Sequence, residues 1–351
     1  MRRKIKLEGV IPATLLSFNE DMSINEKESR SHIKSCGLTD GINAITVNGH
    51  SSEIHACNFE EQKRILDFSL EEVGDKVPII NGVYSDGSLE AAKIARMAQD
   101  LGASALLCFP PQSMSMGGSL RPEMAIEHFK RISDASDLPL ICFNYPSSGG
   151  LSYPFETLLK LFDEVSTIKA IKDWCNEPML HEKHIRVFQS LPNPVNVLTT
   201  HSAWLMSSLV MGASGLLSGA GSVIAPLQVR LFNAIKNNNL KEAKDINDKI
   251  FPLVQLFYKP PFLDMHNRMK ETLVILNAMK KLKLKSFICY QMLFFKYSRI
   301  SSKLAFLTIY FSFFVKISHF LRTESSTRLI FDCELLSFNE IASGIPCIFP
   351  E

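Results

Sequence analysis

Apolar and polar positions along the chain alternate between two regimes. Short apolar runs of β type recur at 9–14 (GVIPAT), 42–47 (INAITV), 77–82 (VPIING), 104–109 (SALLCF), 138–143 (LPLICF), 167–172 (TIKAIK), 194–199 (PVNVLT) and 215–219 (GLLSG). Runs this short and this continuously apolar read as strands covered on both faces. Segments with helical period lie between them, at 25–36, 59–72, 89–101, 122–136, 154–162 and 201–211. Ser88 marks the start of one such segment and Gly102 its stop. Eight strand–helix units predict a parallel sheet, and eight is the number that closes a TIM-type (β/α)8 barrel. The open doubly wound alternative wants a glycine fingerprint after the first strand, and "TLLSFNED" has none.

Further helices are predicted at 226–237, 240–257 and about 264–281, so the chain divides into a barrel over 1–225 and a helical extension over 226–281. From 282 to 351 the chain changes into an atypical apolar and basic tail rich in Phe, Ser and Lys, for which the pattern predicts no fold. Its most apolar run, 304–315, is bounded by Lys303 and Lys316 and falls short of the roughly 20 residues that span a bilayer. No stable membrane anchor is expected.

Composition narrows the function. The 351 residues are 46% hydrophobic and 21% charged, ordinary for a globular protein. With 38 Lys and Arg against 36 Asp and Glu, the net charge of +2 provides no field to hold nucleic acid. The eight cysteines form no CxxC pair and no zinc spacing, so no metal site is expected. Cys108 and Cys142 sit in apolar runs as small core residues. The start has basic residues but no apolar signal core, which points to a reduced, cytoplasmic protein.

In a barrel of this kind the reacting groups lie at the C-terminal ends of the strands. Period-two alternation places Ile168, Ala170 and Lys172 on one face of the sixth strand. Facing inward, the ammonium of Lys172 would be desolvated at an apolar mouth, lose basicity and become able to attack a carbonyl as a free amine. The alternative is a strand-end lysine that snorkels to solvent. After the second strand, Gly49, His50, Ser51 and Ser52 form either a carboxylate-binding loop of N–H and hydroxyl groups or an ordinary turn. Glu53 is read as a cap for the following helix rather than as a group that orients the loop. "HEKH" (181–184) is read as a solvated helix face, and the glycine-rich 212–222 as a phosphate cradle or as tight turns.

At these strand ends the sequence resembles the dihydrodipicolinate synthase / N-acetylneuraminate lyase family. The resemblance spans about residues 7–280. It rests on "GVIPATLLSFNEDMSIN", on "GHSSE" (49–53) where the family usually carries Gly-Thr-Thr-Gly-Glu, on "AIKDW" (170–174), and on "GLLSGAGS" (215–222). "THSAWL" and "DMHNRMKE" (264–271) are similar to a subgroup of the family. The resemblance implies a class I aldolase, without metal or organic cofactor, in which Lys172 forms a Schiff base with pyruvate or another 2-oxo acid and an aldehyde is the partner. It assigns substrate binding to Gly49, Ser51, Ser52, Phe143, Leu217 and Gly219, and implies a homo-oligomer, commonly a tetramer.

Three departures stand out. The strand-5 tyrosine that relays protons in the family is Phe143 here, so His50, Tyr145 or Tyr84 would have to serve. Ser148 stands where dihydrodipicolinate synthases carry an arginine for the second substrate's carboxylate, and Gln112 replaces an aromatic after strand 4. These open two further readings: a sugar-acid dehydratase on the same imine chemistry, and a catalytically silent barrel that binds a 2-oxo acid.

Overall fold

The structure, a computed structural model, describes residues 3–279. Strands β1 (Gly9–Pro12), β2 (Ile45–Val47), β3 (Ile79–Val83) and β4 (Ala105–Cys108) are followed by helices α1 (Glu26–Gly37), α2 (Phe59–Val73), α3 (Ser88–Leu101) and α4 (Pro122–Ala135). Strands β5 (Leu140–Asn144), β6 (Ile168–Asp173), β7 (Asn196–Thr199) and β8 (Gly215–Ser218) alternate with α5 (Phe155–Glu164), α6 (Pro178–Phe188), α7 (Leu205–Val210) and α8 (Gly221–Lys236). Helices α9 (Leu240–Phe257) and α10 (Met265–Ile275) complete the described chain.

All ladders are parallel, in the order β1-β8-β7-β6-β5-β4-β3-β2. The two ends of that sheet meet in an Ala13–Thr46 bridge, and Thr14 N–H donates to the Thr46 carbonyl at 2.9 Å, so the sheet closes into the predicted (β/α)8 barrel. Ile11, Ile80, Leu107, Phe109, Ile141, Phe143, Ala170, Leu198 and Leu217 fill its interior. Such apolar burial, at about 25 cal/mol per Å², dominates the folding of a barrel this size.

Local signals set the helix ends. Asn25 caps α1 by accepting from Glu28 N–H, and Asn58 and Glu61 form a reciprocal capping box at the start of α2. Gly102 ends α3 in the left-handed region at φ 109°, as expected, while Ser88 is the first residue of that helix and Gly87 precedes it. Helix α8 packs on β1 and is kinked at Ile224, so the boundary read between 225 and 226 falls just after that kink. The last helix among the described residues ends at Ile275, and 276–279 of the stretch predicted for it form a turn and bend; its remainder to Lys281 and the tail 282–351 with its apolar run lie outside the described residues. No helix among the described residues is long and apolar enough to cross a membrane. Cys36, Cys57, Cys108, Cys142 and Cys175 are free and buried.

Candidate active site

The mouth of the barrel is built around β6. An irregularity between β5 and β6 shifts the register, so Leu140 pairs with Ile168 but Ile141 with Ala170. Ala170 faces the interior as expected; Ile168 does not join the interior cluster. Lys172, two residues on, is only 5% exposed and places Nζ 3.9 Å from the centroid of the Phe143 ring, its register partner on β5. Burial lowers its pKa to about 7, far below the usual lysine value. The snorkelling alternative is therefore overturned, because the side chain follows the barrel interior rather than the solvent.

Lys172 opens on a cavity of about 300 Å³ that is also lined by His50, Ser51, Phe143 and Gly219, four residues singled out in the sequence. Their convergence has a backbone cause. Asn48, at φ 51°, turns the chain sharply after β2, and its side chain donates to the Asn81 side chain and the Gln62 carbonyl at 2.8 Å each. Gly82 on β3 makes room for the turn, since a Cβ there would lie 1.7 Å from the Asn48 carbonyl oxygen. Gly49 and the single 3₁₀ turn of His50–Ser52 then lie across the mouth. A Cβ on Gly219 would sit 2.7 Å from Ser51 Oγ, so that glycine keeps open the space in front of the hydroxyl.

Other sequence candidates lie elsewhere. Ser52 turns away and donates to the Thr14 carbonyl at 2.7 Å, tying the loop to β1. Leu217 packs inside the barrel below the cavity. The Tyr145 ring is wedged between Phe143 (4.4 Å between centroids) and Trp174 (5.4 Å) without lining the cavity. Ser148 and Gln112 are exposed outside it. His50 is held neutral, its pKa well below the ordinary imidazole value through burial, with His266, His55 and Lys172 adding to the effect.

Two readings need correction. Glu53 does not cap α2, whose cap is Asn58. It is fully buried in the left-handed region at φ 55°, and Lys270 of α10 donates to its Oε1 at 2.5 Å. Nor is "HEKH" a solvated face. His181 and His184, one helical turn apart, are both buried and both donate from Nδ1 to Oδ2 of Asp173 at 2.7 Å. Asp173 Oδ1 accepts from the Asn144 side chain and from Cys175 N–H. Burial opposes the Asp173 charge, but the histidine hydrogen bonds outweigh it and hold the carboxyl well below its usual pKa.

Asp173, Cys175, His181, His184 and His201 supply two triads of donor atoms within 4.8 Å of one another, the arrangement a metal would use. Hydrogen bonds already employ those atoms. His181 Nε2 meets Ser208, while His201 meets Thr199 through Nδ1 and receives Asn176 N–H at Nε2. The donor set is therefore satisfied as a proton network.

The remaining cavity wall comes from Trp174, Asn176, Thr200, His201, Ser202 and Trp204 after β6 and β7, from Tyr258 and Phe262 between α9 and α10, and from Met265 at the start of α10; of these, Asn176, Tyr258 and Phe262 were passed over by sequence reasoning. Trp174 stacks on Phe262 at 5.1 Å and 22°. Arg268 holds that segment in place by donating to the Phe257, Lys259 and Pro261 carbonyls and to Asp264. The "THSAWL" and "DMHNRMKE" words carried part of this signal; Tyr258 belonged to neither.

Comparison with known proteins agrees with the geometry. The Dihydrodipicolinate synthetase family profile matches residues 6–281. The chain is 28% identical over 255 residues to a 4-hydroxy-tetrahydrodipicolinate synthase of Methanopyrus kandleri, covering 71% of this chain and 80% of that protein. Among solved structures, the 4-hydroxy-tetrahydrodipicolinate synthase of Methylacidiphilum fumariolicum SolV superposes with a TM-score of 0.75 at 19% identity, covering 90% of this chain and 99% of that one. A Ruminococcus gnavus sialic acid aldolase gives 0.75 at 17% identity, covering 85% and 96%. With a (β/α)8 barrel, a buried lysine at the end of β6 and a family match over most of its length, the chain belongs to the dihydrodipicolinate synthetase family of class I aldolases and lyases.

Proposed function

We propose that the protein is a Schiff-base-forming lyase or synthase that joins pyruvate or another 2-oxo acid to an aldehyde, or cleaves the product. The observation that carries this reading is Lys172, buried at the barrel mouth on the one cavity that also holds the Gly49–Ser51 loop, with a pKa of about 7. A neutral amine there attacks the 2-oxo carbonyl. Loss of water gives an iminium, and the iminium is the electron sink for forming or breaking the adjacent C–C bond. No cofactor is needed for that chemistry. Ser51 Oγ, the loop N–H groups and neutral His50 are suited to hold the 2-oxo acid carboxylate.

The acceptor side of the cavity favours an uncharged aldehyde. It offers Asn176, Thr200 and Ser202 for hydrogen bonds and the Trp174 and Phe262 rings for stacking, and Lys172 is the only Lys or Arg among the lining residues. A second carboxylate would meet no arginine fork. The protein is further proposed to work in the cytoplasm as a homo-oligomer.

Incubation with pyruvate or 2-oxobutyrate, borohydride reduction and peptide mapping tests the reading. A reduced adduct on Lys172, absent from Lys172→Ala, is the expected result. A folded protein that is not labelled there by either acid would sink it, and a silent barrel would then be the better description.

A further inference from the structure

An imine mechanism moves protons as well as electrons. The carbinolamine hydroxyl must leave as water, C3 of the bound 2-oxo acid must give up a proton to form the enamine, and the aldehyde oxygen must gain one when the C–C bond forms. Phe143, against the Lys172 amine, has no exchangeable proton. Among the described residues, the cavity contains four titratable side chains: Lys172, His50, His201 and Tyr258. Lys172 is the nucleophile. Both ring nitrogens of His201 are already engaged. His50 has lost its basicity through burial, so it has no proton to donate near neutrality and is a weak base.

Tyr258 follows the last residue of α9 and directs its hydroxyl to the end of β8. Its oxygen accepts from Ala220 N–H at 3.1 Å and from Ser202 Oγ at 3.3 Å. Ser202 is within 3.2 Å of Ser218 Oγ, which accepts from Gln228 Nε2 at 3.1 Å. The same oxygen would lie 3.7 Å from a Cβ placed on Gly219, on the open face that Ser51 Oγ also borders. Two donors aimed at a phenol oxygen stabilise its anion, and Ser218 is a further hydrogen-bond partner of the hydroxyl. Burial still raises the pKa of Tyr258, so the resting group is a phenol that can act as an acid.

We propose that Tyr258 is the proton relay of the Lys172 imine. The phenol protonates the carbinolamine hydroxyl, water leaves, and the nitrogen lone pair forms the C=N bond of the iminium. The phenolate, held by Ala220 N–H and Ser202, removes the C3 proton and gives the enamine. When the enamine carbon attacks the aldehyde, the phenol proton passes to the new alkoxide; water then adds to the product iminium, its released proton restores the Tyr258 phenol, and collapse of the adduct to the ketone frees the Lys172 amine. The inference rests on the function proposed above.

The test needs no knowledge of the aldehyde. Exchange of the pyruvate methyl protons in deuterium oxide, followed by NMR, reports enamine formation, and borohydride labelling of Lys172 reports the imine. Tyr258→Phe is expected to remain labelled on Lys172, more slowly, while methyl exchange falls by about 10²–10⁴-fold, the usual loss for a positioned acid/base. Exchange in Tyr258→Phe within a few-fold of the parent overturns the inference, as does a folded Tyr258→Phe protein whose Lys172 is never labelled. If Tyr258→Phe does not fold, Ser202→Ala decides: removing one donor is expected to shift the pH dependence of exchange upward, and an unmoved profile overturns the inference. A parent protein left unlabelled on Lys172 defeats the proposed function itself, an outcome distinct from any of these.

Discussion

Lys172 places a buried amine at the barrel mouth, and its burial makes a pH prediction. An ordinary lysine releases its proton near 10.4, so its free-amine fraction grows tenfold per unit throughout the neutral range. With the pKa lowered to about 7, the Lys172 amine is half free near neutrality. The initial rate of borohydride labelling is therefore expected to rise about tenfold per unit below pH 7 and to level off above about pH 8. A rate that keeps climbing to pH 10 would mean that the amine is solvated. The linked effect on folding also favours high pH. Below about pH 7 both folded and unfolded chains carry the Lys172 proton and the burial penalty is fully present; it shrinks as the folded chain sheds the proton and is gone above the unfolded value. The inward burial of Lys172 could be read from the sequence, because strand period is a local rule and the resemblance of "AIKDW" pointed the same way. Tyr258 could not: its hydroxyl reaches the site across 38 residues of chain, from Ala220 to Tyr258, through a contact that has no period.

At the scale of elements, β6 and α6 form one hydrogen-bonded unit. Inward Lys172 and outward Asp173 are consecutive, so the strand that presents the amine is anchored behind by His181 and His184. Four donors converge on the Asp173 carboxylate. Asp173→Asn keeps one acceptor oxygen and turns an NH2 group toward the other pair, so it is expected to destabilise the fold by roughly 2–5 kcal/mol. A urea titration would show this as a lower midpoint with unchanged slope. The sequence showed the i, i+3 histidines but not their partner. Two histidines on one helix face look the same from sequence whether that face meets water or a carboxylate. The strands were legible in a way this network was not, because apolar runs encode burial directly, whereas a buried polar cluster is visible only once its members are brought together.

At the scale of the whole described molecule, the Lys270–Glu53 pair joins the second strand's loop to the last helix across 217 residues of chain. Both side chains are buried, at 2% and 0% exposure, so removing one takes a charged partner from the other where water does not replace it. Lys270→Met is expected to cost about 3–5 kcal/mol in chemical denaturation. Adding Glu53→Gln to it is expected to recover a substantial part of that loss, a positive coupling that a double-mutant cycle would read. Additive losses would mean that the pair acts as two independent contacts.

The same pair orders events during synthesis. A chain emerging from the ribosome has the eight described strands by Ser218, yet the loop that carries Ser51 gains its Glu53–Lys270 ion pair only when Lys270 follows, and Tyr258 and Phe262 arrive only shortly before it. Domains fold from the N-terminus as they emerge. A growing chain can therefore assemble its scaffold before its pocket, and the cavity around Lys172 gains its last wall only after α10 has docked.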